Sequence, residues 1–164
     1  MPLMAPPPWL EPLRYLLGDW IDESRTGQPG TATSSGETWT VGLDGRILER
    51  RGWCDFPATD RRGAFRHEDL LIVYPEGEAR ARAIFWDNEG HTIHYNDVRP
   101  DPAAPGLRLM SEPAADGPQQ QLEYAFEGPD RLRAMFALRM PRGIEFVPYL
   151  RWTSVRRPPS SGKG

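Results

Sequence analysis

Leu16-Leu17-Gly18-Asp19-Trp20 joins a short amphipathic segment to the first of many short extended stretches. A glycine at that junction lets the backbone turn tightly, and a tryptophan two residues later is large enough to plug the floor of a small barrel. The segment before it, Trp9-Leu10-Glu11-Pro12-Leu13-Arg14-Tyr15-Leu16-Leu17, is the helix candidate of the chain, with Leu10, Leu13, Leu16 and Leu17 at helical spacing. Pro12 fits only a first turn. One or two turns are therefore expected, capped by Gly18.

Beyond Trp20 the chain reads as strands divided by turns. The expected strands are Trp20 to Arg25, Ser34 to Val41, Arg46 to Phe56, Phe65 to Tyr74, Ala79 to Trp86, His91 to Val98, Leu107 to Glu112, Gln119 to Phe126, Arg131 to Met140 and Ile144 to Val155. Asp44-Gly45, Glu76-Gly77, Glu89-Gly90, Gly128-Pro129-Asp130 and Arg142-Gly143 punctuate them, residue pairs that tolerate the conformations of tight turns. Strands adjacent in sequence pair directly when connections are short, and a long meander must close to protect its edges. The expected fold is all-β: an up-and-down antiparallel barrel of about ten strands, closed at one end by the short N-terminal helix. A sandwich with Greek-key crossovers would need longer connections.

The 164 residues suit one domain, expected over residues 9–155, with flexible termini at 1–8 and 156–164. Cys54 is the one cysteine, so no internal disulfide can form. Met1 to Pro8 has no basic region followed by an apolar run, and no apolar stretch approaches the length of a membrane span. A cytoplasmic protein, monomer or homodimer, is expected. The net charge of −3 argues against nucleic acid as partner. Lys163 is the one lysine, so the positive charge is almost all arginine. Catalytic loops of the hydrolase, nucleotide and dinucleotide types are absent from the sequence, as are metal-ligand clusters. No cofactor and no metal are expected.

Gly18-Asp19-Trp20 after a short helix resembles the Gly-x-Trp start of the calycin superfamily, which includes lipocalins, fatty-acid-binding proteins and nitrobindin-like barrels. Leu43 to Arg50 and Phe85 to His91 resemble segments of bacterial lipocalin-like domains. The resemblance implies a barrel with an internal cavity for a small, mostly apolar molecule. Nitrobindin-like members hold haem through a histidine in a late strand. This chain has no histidine after His94, so the resemblance carries no haem ligand here. Some fatty-acid binders hold a carboxylate with an Arg and a Tyr two apart in the last strand; Tyr149 and Arg151 have that spacing in reverse order.

Residues two apart on a strand share a face. An inward Tyr149–Arg151 face would clamp an anion; alternatively, Arg151 packing over Trp20 would seal the floor. Pro148 predicts a bulge beside them. His91 and His94 lie on opposite strand faces and make poor co-ligands; His94, if inward, would be a titratable donor or base. His67 shares a face with Asp69, Leu71 and Val73, and with Asp69 could form an oriented acid–base pair. Trp39 shares a face with Glu37, Trp53 with Glu49 and Arg51, and Trp86 with Arg82. Faces mixing Trp, Arg and Glu predict a pocket with polar tips, because buried charge is costly unless paired. The expected ligand-binding residues are Trp39, Arg51, Trp86, His94, Tyr149 and Arg151, with Gly18 and Trp20 closing the barrel. The leading reading is binding of a small hydrophobic or amphipathic ligand, with an anionic end if Tyr149 and Arg151 face inward. Two others stay open: a hydrolase, isomerase or cyclase using His94 or His67 with a carboxylate, and an interaction domain with a filled barrel. A one-residue slip in any strand reverses its facing.

Overall fold

The computed structural model describes residues 8–27, 31–78, 80–100 and 105–158. Ten strands follow an N-terminal 3-10 helix (Pro8–Leu16): β1 (Gly18–Gly27), β2 (Ser34–Gly42), β3 (Ile47–Phe56), β4 (Phe65–Glu76), β5 (Arg80–Asp87), β6 (Thr92–Pro100), β7 (Gly106–Ser111), β8 (Gln119–Phe126), β9 (Arg131–Arg139) and β10 (Val147–Arg156). Each pairs antiparallel with its sequence neighbours, and β1 pairs with β10 to close the barrel. The expected architecture is therefore observed, and every strand start or end but the start of β10 falls within two residues of its expected place because the turn signals set them. No helix among the described residues is long and apolar enough to cross a membrane.

Three details differ from expectation. The N-terminal helix is 3-10 along its length, with Leu17 N–H bonding the Arg14 carbonyl at 3.2 Å, and Gly18 opens β1 instead of capping the helix. Pro12 within it removes one donor and disfavours the wider α turn. β10 begins at Val147, not Ile144, because Gly143 closes a turn onto Met140 and the register slips at Pro148, which has no N–H to offer the ladder. β10 also runs to Arg156, which sequence alone assigns to the tail. Ala79 and the terminal residues 1–7 and 159–164 lie outside the described residues.

The helix end of the barrel is solid. Leu10, Leu13 and Leu16 pack with Trp20, Leu48, Val73, Leu107, Leu109 and Leu132 in one buried cluster, each 2% exposed or less. Each buried leucine contributes about 2 kcal/mol of apolar transfer free energy. This plug leaves the other half of the lumen for a site.

Candidate functional site

Gly18, Trp20 and Arg156 form the floor. Trp20 is fully buried and its indole Nε1–H donates to the Leu16 carbonyl at 2.7 Å. The Arg156 guanidinium lies 4.2 Å from the Trp20 ring and donates to the carbonyls of Leu17 (2.6 Å) and Tyr15 (2.9 Å). Register places Trp20 opposite Arg156 across the closing seam. Gly18 has φ +117°, and a Cβ there would lie 2.9 Å from Arg156 Nη1, so glycine is required twice over. The arginine that seals the floor is thus Arg156 and not Arg151, because the seam register sets Arg151 opposite Thr26, at the far end of β1.

Above the plug lies a cavity of about 760 Å³, lined from all sides of the barrel and open at the end away from the helix. A polar cluster forms its inner wall. Glu37, Gly52, Asp69 and Asp87 stand in one row across β2, β3, β4 and β5, and Arg50 stands in the next row beside Trp39. Gly52 has no side chain, so the Arg50 guanidinium can reach the carboxylates on both sides of it. Arg50 donates to Asp69, to Glu37 Oε2 (3.4 Å) and to the Tyr124 hydroxyl (2.6 Å). The Tyr124 hydroxyl donates to Glu37 Oε2 at 3.1 Å, and Trp39 Nε1–H donates to Glu37 Oε1 at 3.0 Å. The Arg50 Nε is buried and has no hydrogen-bond partner among the described residues. Beside this cluster, Asp22 accepts bonds from Ser35 and Ser154 and pairs with Arg25 at 3.5 Å. Arg25 in turn lies over the Trp152 ring at 5.5 Å.

The charges respond to this setting. Burial pushes the Glu37 carboxyl up to about 7, against the opposing pull of Arg50 and Trp39. Burial also works against the Asp69 carboxylate, but Arg50 and His67 outweigh it and hold Asp69 below the ordinary range. For Arg50, burial is outweighed by Asp69, Tyr124 and Glu37, so its charge is more firmly held than usual. Toward the mouth, His67 lies 3.5 Å from Asp69 Oδ2 through Nε2 and 2.9 Å from Glu89 Oε1 through Nδ1. The bond to Asp69, with help from Glu89, raises its pKa against the cost of burial.

The predicted site residues divide. Trp39 points inward, but it is 1% exposed and supports Glu37 from within the core. Tyr149 lines the mouth beside Phe136, with ring centroids 6.1 Å apart. Arg51, Trp86, His94 and Arg151 stand on the outer face, each exposed. Their sequence neighbours Arg50, Phe85, Tyr95 and Trp152 take the lumen instead. Tyr149 and Arg151 therefore do not meet as a clamp. The barrel does bring His67 beside Asp69 and Glu37 beside Trp39, both pairings legible in the alternation of β4 and β2. Arg50 was missed because its face of β3 (Leu48, Arg50, Gly52, Cys54) carries small and apolar neighbours that look structural. Cys54 is buried in the lumen with its thiol pushed up by burial, which leaves it a poor nucleophile. No group of three or more metal-type side chains is gathered among the described residues. In comparisons with known proteins, the chain matches no family model and no curated protein sequence.

Proposed function

We propose that this protein is a calycin-like barrel that binds a small, partly apolar molecule in its lumen. The observation that carries this reading is the 760 Å³ cavity above a solid floor. It has aromatic walls (Phe85, Phe136 and Trp152) and one hydrogen-bonded polar cluster on its inner wall. That is the anatomy of a ligand pocket: an apolar body with a few placed polar groups. A barrel serving only as an interaction surface would have no need of such a space. A cytoplasmic setting belongs to this reading.

An acid–base enzyme built on His67 is the weaker reading. Both ring nitrogens of His67 face carboxylates, so as an imidazolium it donates both protons and has no lone pair free to act as a base. The binding reading is tested by thermal shift and tryptophan quenching with a panel of fatty acids, long-chain alcohols and amines, retinoids, sterols and haem. At least one class should raise Tm, and Ile93→Trp, which narrows the lumen, should weaken that response. A panel without any response, or one unchanged by the narrowed lumen, overturns it.

A further inference from the structure

We infer that the ligand of this cavity carries an organic cation, such as a protonated amine, on an apolar body, and that the lumen selects against carboxylates. This rests on the binding reading above and says what kind of molecule the pocket takes. The lining has five carboxylates, Asp22, Glu37, Asp69, Asp87 and Glu89, against two arginines, Arg25 and Arg50, and two histidines, His67 and His91. With Glu37 ionised, the wall is negative whether or not the histidines are protonated. With Glu37 protonated and both histidines charged, it only reaches neutrality. No protonation state near neutral pH makes it positive.

Each cation of the lining already faces a carboxylate, although the Nε atoms of Arg25 and Arg50 are buried with no hydrogen-bond partner among the described residues. Arg50 bonds Asp69 and Glu37, Arg25 pairs with Asp22, His67 lies against Asp69 and Glu89, and His91 pairs with Asp87 at 2.8 Å. An incoming carboxylate that took the Arg50 guanidinium from Asp69 or Glu37 would leave that acid buried without its partner, which is strongly unfavourable. An incoming cation displaces nothing, because a carboxylate oxygen accepts more than one hydrogen bond.

Tyr95 supplies a second, independent observation. It is 1% exposed, lines the cavity, and its hydroxyl has no hydrogen-bond partner among the described residues. Burial raises its pKa, so it stays a neutral phenol. Its oxygen can accept an ammonium N–H, and Phe85 on the neighbouring strand adds to the lining an aromatic ring, a group that attracts cations. The unpaired hydroxyl marks where a polar head belongs; the charge of the wall decides the sign of that head.

Three probes with the same eight-carbon tail separate the possibilities: octylamine, 1-octanol and octanoate, titrated against the full chain by tryptophan fluorescence at pH ~7.5. Octylamine should bind about tenfold or more tightly than octanoate, with octanol between them. Glu89→Gln, which removes a charge at the mouth and keeps an acceptor for His67, should weaken octylamine several-fold and leave octanol unchanged. Octanoate binding as well as octylamine, no binding by any probe, or an unchanged ratio in Glu89→Gln would overturn the inference. If octanol binds while the amine shows no advantage, only the choice of cation fails. If Ile93→Trp binds all three probes as the native chain does, the lumen itself is not the site and both readings fall.

Discussion

Glu37 makes the stability of this barrel depend on pH in a direction opposite to that of most carboxylates. Its carboxyl is raised from 4.5 to about 7 in the folded protein. The folded state therefore holds this proton more tightly than the unfolded chain does. The stabilisation is complete below the unfolded value and is lost as pH rises through the folded one. The difference corresponds to about 3 kcal/mol between about pH 4.5 and about pH 7.5. His67, whose pKa is also raised, acts in the same direction: its contribution is present below its ordinary value of 6.5 and fades as pH rises through the higher folded one. Asp69 is held low, so its contribution is present above its ordinary value and is lost only in acid. Urea unfolding followed by tryptophan fluorescence should thus show greater stability at about pH 5 than at about pH 8. Glu37→Gln keeps an acceptor for Trp39 and removes the titration. It should match the native chain within about 1 kcal/mol near pH 5 and exceed it by about 2–3 kcal/mol near pH 8, or roughly 6–12 °C in Tm. A variant that loses stability between these pH values as steeply as the native chain would refute the reasoning.

Two other expectations use the same assay. Arg156→Ala removes two charge-assisted bonds to the Leu17 and Tyr15 carbonyls and the cover of Trp20, and should cost about 3 kcal/mol, whereas Arg151→Ala, on the outer face, should stay within about 0.5 kcal/mol; equal losses would put the seal in the wrong place. Gly52→Ala would set a Cβ 2.6 Å from an Asp69 oxygen. It should cost about 1–3 kcal/mol and lower the His67 pKa followed by NMR, since Asp69 must leave its partners to make room; an unmoved His67 titration would count against that coupling.

What could be read from the chain follows from local physics. Turn chemistry at Asp44-Gly45, Glu89-Gly90 and Gly128-Pro129 delimits the strands, and short connections make sequence neighbours pair. Gly18 and Trp20 announce the closed end because few residues besides glycine take a φ of +117° and few besides tryptophan fill the floor. The alternation of β4 and β2 likewise shows that His67 travels with Asp69 and Glu37 with Trp39.

The facing of those alternations is a different kind of fact. Strand periodicity is two, so Arg50 and Arg51, Tyr95 and His94, Trp152 and Arg151 are equivalent candidates until the barrel closes around one of each pair. Closure is set by the pairing of β1 with β10, with Trp20 opposite Arg156, contacts more than a hundred residues apart that no local pattern encodes. The sequence by itself determined a ten-strand meander with a glycine–tryptophan floor. Only the tertiary structure decided that Arg50 reaches past Gly52 to two acids, that the seal is Arg156, and that the described lining of the lumen holds more acidic than basic side chains. Which side chains meet inside a barrel depends on register summed around the whole ring, and local sequence constrains that register only one strand at a time.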